Sequence, residues 1–136
     1  MTKVERADLY LNYLAEEGYR PEIDPDGDVA FRCEGWAYVI LIDETDENYF
    51  ALLCPNFWEV ENEGELDNAL VAANYATRTT KVAKIFLRSD NKNTSASLEM
   101  FFDQPEDFRA VFSRALSALR TGVRTFADRM RGDTGA

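Results

Sequence analysis

Histidine is missing from all 136 residues. Its absence removes the commonest general base near neutral pH, the usual partner of a nucleophilic serine or cysteine, and a major metal ligand. Most hydrolase templates fail on that ground alone. Cysteine is scarce: Cys33 and Cys54 each sit in a strand-like apolar run with no C-x-x-C spacing. They read as small buried hydrophobes, with a redox pair as the sharper alternative. No apolar run nears the roughly 20 residues that span a bilayer. The start MTKVERADLY is charged where a secretory leader needs an apolar stretch, so a cytoplasmic location without a membrane partner is expected. Glycine never takes GxGxxG or phosphate-loop spacing, and Lys81 and Lys84 follow no glycine-rich turn. Nucleotide binding therefore finds no footing, and no cofactor is expected.

Apolar surface is plentiful, with 46% hydrophobic residues and 12% aromatics, which excludes a disordered chain. A chain of this length buries roughly two-thirds of the surface that its unfolded form exposes, enough for a core without disulfides. The net charge of -10 is uneven. Residues 1–77 hold 18 acids and 4 bases, whereas residues 78–136 hold 7 acids and 11 bases. Long-range repulsion disfavours nucleic acid as a partner. The acidic half serves solubility or, on the sharper reading, docks a basic partner.

Thr2 and Glu5 form a capping box, and Val4, Ala7, Leu11 and Leu14 recur at helical spacing, with Lys3, Arg6 and Asp8 on the solvated side. Gly18 ends this helix. A short strand around Tyr19 to Asp24 meets the turn Asp24-Pro25-Asp26-Gly27-Asp28. Val29, Phe31 and Cys33 then alternate with polar neighbours, and Gly35 reverses the chain into the apolar strand Trp36 to Ile42. Tyr49 to Trp58 returns as another strand, with Pro55-Asn56 marking an edge, a bulge or its end. An alanine-rich helix from Asn62 or Gly64 to about Thr80 carries Leu66, Ala69, Leu70 and Ala73 on one side. Lys81 to Arg88 and Thr94 to Phe102 form a second hairpin. The last helix opens near Asp103-Gln104-Pro105-Glu106, and Phe108, Phe112, Ala115, Leu119, Val123, Phe126 and Met130 share its apolar face. Gly122 weakens its middle modestly.

The expected fold is thus α+β, an antiparallel twisted sheet packed by helices in the order α-β-β-β-α-β-β-α. Residues 1–130 form a single domain, and residues 131–136 a flexible tail in which RGD is coincidence.

Gly18-Tyr19, Asp24 through Asp28, Phe31, Glu34-Gly35 and Tyr38 to Asp43 resemble the YbjN family. Pro55-Asn56-Phe57-Trp58, Ala73-Asn74 and Lys81-Val82-Ala83-Lys84 extend the resemblance to about residues 5–125. That family is described as bacterial sensory transduction regulators, and its fold is similar to type III secretion chaperones. Those chaperones are small, acidic, usually dimeric and without enzymatic activity. The resemblance implies a chaperone-like fold and no catalytic residues.

Four constellations stand out. Asp24, Asp26 and Asp28 begin like a calcium loop, yet an EF-hand needs glycine at position six and glutamate at twelve, where Val29 and Gly35 stand. A turn with solvated carboxylates fits better. Glu59, Glu61, Glu63 and Glu65 form a solvated acidic run rather than paired catalytic carboxylates. Arg109, Arg120, Arg124 and Arg131 form a basic rim beside the last helix's apolar face. On the second hairpin, Phe86 and Phe101 fall on the polar face with Lys84, Arg88 and Glu99, and a cross-strand aromatic pair there calls for a cover, either a subunit or partner or the chain's own helix. These five residues are the candidate interface of a homodimer. The functional expectation is a non-enzymatic chaperone-like or regulatory module that binds a protein or peptide. The alternative is a small-ligand sensor whose pocket at the sheet edge is lined by Trp36, Tyr38, Phe57 and Trp58.

Overall fold

The computed structural model describes residues 1–132, so the tail and the RGD tripeptide lie largely outside the described residues. The elements are α1 (Lys3–Glu16), β1 (Glu22–Ile23), β2 (Val29–Cys33), β3 (Trp36–Leu41), β4 (Tyr49–Glu59), α2 (Glu63–Thr79), β5 (Lys84–Leu87) and β6 (Asn93–Phe101). A 3₁₀ turn (Pro105–Ala110) and α3 (Phe112–Met130) complete the chain. This is the expected α+β order, with the short segment before the first turn counted as a strand. The six strands form one antiparallel sheet in the order β1-β2-β3-β4-β6-β5. The chain divides into two compact units, Met1–Leu53 with Glu99–Ser113, and Cys54–Leu98 with the chain from Arg114 onward.

The first unit has an aromatic core. The Thr2 hydroxyl accepts from the Glu5 N–H at 3.1 Å while Glu5 accepts from the Thr2 N–H at 3.0 Å, the reciprocal cap that starts α1. This bonding holds the Glu5 carboxyl below its ordinary value. Tyr10 meets Phe50 and Phe108 edge-on at 5.9 and 4.8 Å, and Phe108 stacks on Phe50 at 6.0 Å. Such edge and offset contacts suit the ring quadrupole.

The helical stripe differs from expectation. Ala7, Tyr10 and Leu14 are buried together with Arg6, whereas Val4 is 72% exposed. Arg6 is no surface cation. Its guanidinium donates to the carbonyls of Asp43 and Tyr49, which end and restart the strands around the acidic turn. Asp43 in turn accepts from the Thr45 hydroxyl and N–H, which holds its carboxyl below the usual range.

The Asp24–Asp28 turn is also more tightly bound than a solvated loop. Asp24 Oδ1 accepts from the N–H groups of Asp26 and Asp28, both at 2.9 Å. Asp28 is 7% exposed and accepts from the Ile42 N–H at 2.9 Å. Lys3 Nζ donates to the Asp26 carbonyl at 2.8 Å and lies 3.6 Å from Asp28 Oδ1, so an ammonium of α1 ties the turn to the helix.

The second unit has a core of small residues. Ala69, Ala72, Ala73 and Ala76 of α2 are buried, while Leu70, expected on that face, is 50% exposed. Alanine lets backbones approach closely, and Gly122 takes this further. A Cβ there would stand 2.9 Å from Ala83 Cβ and 3.0 Å from Ile85 Cδ1. Gly122 is therefore a close-approach position, which outweighs its weak helix propensity. Thr77 of α2 caps the outer edge of β5 at Ile85: its hydroxyl accepts from the Ile85 N–H at 2.9 Å and donates to the Ile85 carbonyl at 3.2 Å.

Pro55-Asn56 does not end β4. Asn56 takes φ 50°, its N–H donates to Ser95 Oγ at 3.0 Å, and the buried positions shift from Leu52 and Cys54 to Phe57, the parity change of a bulge. β6 is covered on both faces, for Ser95 and Ser97 are each 1% exposed where a polar face was expected. The last helix starts later than its proline suggests. Pro105–Ala110 winds as a 3₁₀ turn, capped by Asp107 on the Gln104 N–H at 3.1 Å rather than by Asp103 with Glu106.

Candidate functional site

A concavity of about 550 Å³ lies in the first unit, lined by Gly18, Tyr19, Arg20, Glu22, Ala30, Phe31, Arg32, Ala37 and Tyr38. Its origin is the end of α1. The Gly18 N–H donates to the Ala15 carbonyl at 3.1 Å and the Tyr19 N–H to the Leu14 carbonyl at 3.0 Å. This paired closure needs the φ of 93° that Gly18 adopts, and it sends the chain away from the helix axis. Tyr19 then meets Phe31 edge-on at 5.3 Å, and Phe31 stacks on Tyr38 at 5.5 Å across the β2–β3 register.

The segment from Gly18 runs beside β2 but pairs with it briefly. Glu22 stands opposite Ala30 and Ile23 opposite Val29, and no further pairs form. The outer edge of β2 from Phe31 to Cys33 has no strand partner among the described residues, and it borders the concavity. Unpaired strand edges template the addition of another strand. The site thus combines two exposed arginines, one carboxylate and a short stretch of unpaired backbone, with the rings of Phe31 and Tyr38 buried beneath them.

Of the aromatic residues expected to form a pocket, Tyr38 alone lines this concavity. Trp36 pairs with Cys33 at the end of the β2–β3 hairpin and is half-buried. Phe57 and Trp58 belong to the second unit, where both meet Phe126 edge-on, at 5.4 and 5.7 Å. The Trp58 indole N–H donates to Glu65 at 2.9 Å, so Glu65 is tied into the unit rather than solvated, and Arg131 lies over the Trp58 ring at 5.7 Å.

Of the candidate interface residues, Lys84, Phe86 and Arg88 belong to the second unit and Glu99 and Phe101 to the first. Phe86 is half-buried and stands opposite Ser95, so it forms no cross-strand pair with Phe101. Phe101 is 74% exposed and its ring lies 5.6 Å from that of Tyr49. Lys84, Arg88 and Glu99 are exposed, and Arg88 donates to Asn56 Oδ1 at 3.2 Å. Neither cysteine is in a disulfide, and burial pushes the Cys54 thiol up to about 12. Among the described residues no group of three or more acidic or cysteine side chains could hold a metal, and no helix is long and apolar enough to cross a membrane.

The residues that sequence reading missed are Tyr19, Arg20, Phe31 and Arg32. A signal was present: Arg20 and Arg32 are two of only four cations in an acidic stretch of 77 residues.

No family model matches the chain, and no curated protein matches it in sequence. Solved structures do match in fold. An uncharacterized protein from Methanothermobacter thermautotrophicus is similar over 96% of this chain and 97% of its own, with a TM-score of 0.56 and 13% identity. The HopA1-SchA chaperone-effector complex contains a chain that is similar over 98% of this one and 96% of its own, with a TM-score of 0.57 and 12% identity. At such identities the likeness is one of fold, and it agrees with the α+β architecture expected from the sequence.

Proposed function

We propose that the chain is a non-enzymatic, chaperone-like or regulatory module of the YbjN type that binds a segment of another protein in the bacterial cytoplasm. One observation carries the reading: the unpaired edge of β2 at Arg32 borders a concavity whose exposed lining includes Arg20, Arg32 and Ala37. An extended segment added to such an edge gains main-chain hydrogen bonds, and its alternate side chains meet that exposed lining. The fold shared with a chain of a chaperone-effector complex supports the same reading.

Crosslinked affinity capture from the native cell, followed by hydrogen exchange on the purified complex, tests it. The expected outcome is a stoichiometric polypeptide partner whose binding slows exchange at the Arg32 amide, the one in this stretch of β2 that faces away from β3. Failure to recover any polypeptide, or a complex in which that amide exchanges as in the free chain, counts against it.

The small-ligand alternative draws support from the volume of the concavity, about 550 Å³, which lies in the range of ligand sites. The reading also includes a homodimer through the second hairpin, supported by the 74% exposure of Phe101.

A further inference from the structure

We infer that the place where the pairing of β1 with β2 lapses is a carboxylate site, which takes an acidic side chain of the partner segment between Arg20 and Arg32. This rests on the protein-binding reading and names the side chain that the site selects. Residues 1–77 contain 18 acids and only four cations, Lys3, Arg6, Arg20 and Arg32. Two of the four are committed internally, Lys3 to the Asp26 carbonyl and Asp28, and the buried Arg6 to the carbonyls of Asp43 and Tyr49. Arg20 and Arg32 are exposed, and both line the concavity.

The strand register sets these two on one face. Glu22 stands opposite Ala30 and Ile23 opposite Val29, so the same register carried two residues further would put Arg20 opposite Arg32. The ladder stops before that point. Like charges directly opposite one another weaken a strand pair, and neither guanidinium joins an ion pair among the described residues. The Arg32 guanidinium makes one long bond, to the Gly35 carbonyl at 3.3 Å, and Glu22 is the sole carboxylate in the lining.

Arg32 adds a main-chain donor. Cys33 and Trp36 close a two-residue hairpin turn, so the next pair, Arg32 with Ala37, is not hydrogen-bonded and the Arg32 N–H faces away from β3. Ala37 across from Arg32 and Ala30 two positions along β2 are small, which leaves the face open above them. Phe31 and Tyr38 point to the opposite, buried face and take no part in the selection. A carboxylate offers two oxygens to guanidinium donors in a planar, charge-assisted match, and it relieves the repulsion between the two arginines. In a half of the chain that otherwise repels anions, this is where a carboxylate gains most.

The test is an NMR titration of the full chain with the end-capped peptides VTDTV and VTNTV, alike in shape and different in one charge, and with free acetate. VTDTV shifts the Arg32 amide and binds about five- to tenfold tighter than VTNTV. Raising the salt from about 50 to about 500 mM erodes that preference. Arg20→Gln combined with Arg32→Gln removes it, Glu22→Gln strengthens VTDTV binding, and Arg124→Gln, on the exposed side of α3, changes nothing.

Equal binding of the two peptides, no shift at the Arg32 amide, or a preference that survives in the double variant overturns the inference. Acetate binding as tightly as VTDTV also overturns it and assigns the site to free small carboxylates. A cellular partner captured equally by the wild type and the Arg20/Arg32 double variant overturns the acidic selectivity and leaves the protein-binding reading standing. Capture of no partner by either overturns both.

Discussion

The Arg6 guanidinium donates to the main-chain carbonyl of Tyr49 at 2.9 Å, so a charged side chain in the first helix holds the start of a strand 43 residues further on. A second bond, to the Asp43 carbonyl, closes the acidic turn from its other end. Arg6→Met keeps the apolar volume but leaves both carbonyls without their donor. A loss of about 2–4 kcal/mol is expected, read as a lower urea midpoint at unchanged slope. A change below about 0.5 kcal/mol would mean that water replaces the guanidinium at no cost.

Gly122→Ala tests close approach against helix propensity. Propensity alone predicts a gain of about 1 kcal/mol. The contacts at 2.9 and 3.0 Å to Ala83 and Ile85 predict a net loss of about 1–3 kcal/mol instead, because overpacking forces side chains off their rotamers. Ile85→Val in the same chain should recover part of the loss, since it shortens the side chain that the new methyl meets. Thermal denaturation of the two single variants and the double gives the coupling directly.

Thr94 Oγ1 and Ser97 Oγ are buried and find no hydrogen-bond partner among the described residues. Thr94→Val replaces such a hydroxyl with a methyl of similar size. The variant should be more stable by about 0.5–2 kcal/mol, the reverse of the usual outcome at a fully buried site. Equal or lower stability would show that the hydroxyl is hydrogen-bonded in solution.

The cysteines should differ in reactivity. Cys54 is 1% exposed and its thiol is pushed up to about 12 by burial, so the nucleophilic thiolate is suppressed. Native protein should take up one equivalent of iodoacetamide at the half-buried Cys33, and a second only after unfolding. The sign for stability follows from the raised folded value. The contribution is complete below about 9, the ordinary thiol value, and is lost as pH climbs from there toward 12. Cys54→Ala should flatten that part of the stability profile relative to wild type. Identical profiles would refute the assignment.

Phe101→Asp should convert the proposed dimer to monomer in light scattering at micromolar concentrations. Phe86→Asp should leave it associated, since Phe86 is half-buried and faces Ser95 rather than Phe101. A wild-type chain that is monomeric throughout removes the dimer from consideration.

Much of this fold was legible because its punctuation is local. The Thr2–Glu5 cap, Gly18, the Asp24–Asp28 turn and Asn62 each act through neighbours within a few residues, and each stands where the chain changes direction. What stayed hidden depends on partners distant in sequence. Arg6 reads as a surface charge until the carbonyls of Asp43 and Tyr49 are brought over it. Ser95 and Ser97 read as an exposed face because alternation cannot reveal a sheet covered on both sides. The pairing of Phe86 with Phe101 failed because register depends on the turn: β5 pairs only with Thr94–Ser97, and Phe101 lies four residues beyond. Of the site, Tyr38 was legible as an aromatic on a core strand. Arg20 and Arg32 emerged only once the other two cations of the acidic half were seen to be engaged.

The Thr77 hydroxyl on Ile85 has a bearing on how far assembly can go. Growth of a sheet from molecule to molecule requires two free edges on each, one to receive a strand and one to offer the next. At Ile85 the outward main-chain groups of β5 are already taken by a side chain of its own helix, so a strand laid against that edge would have to displace Thr77 before it could pair.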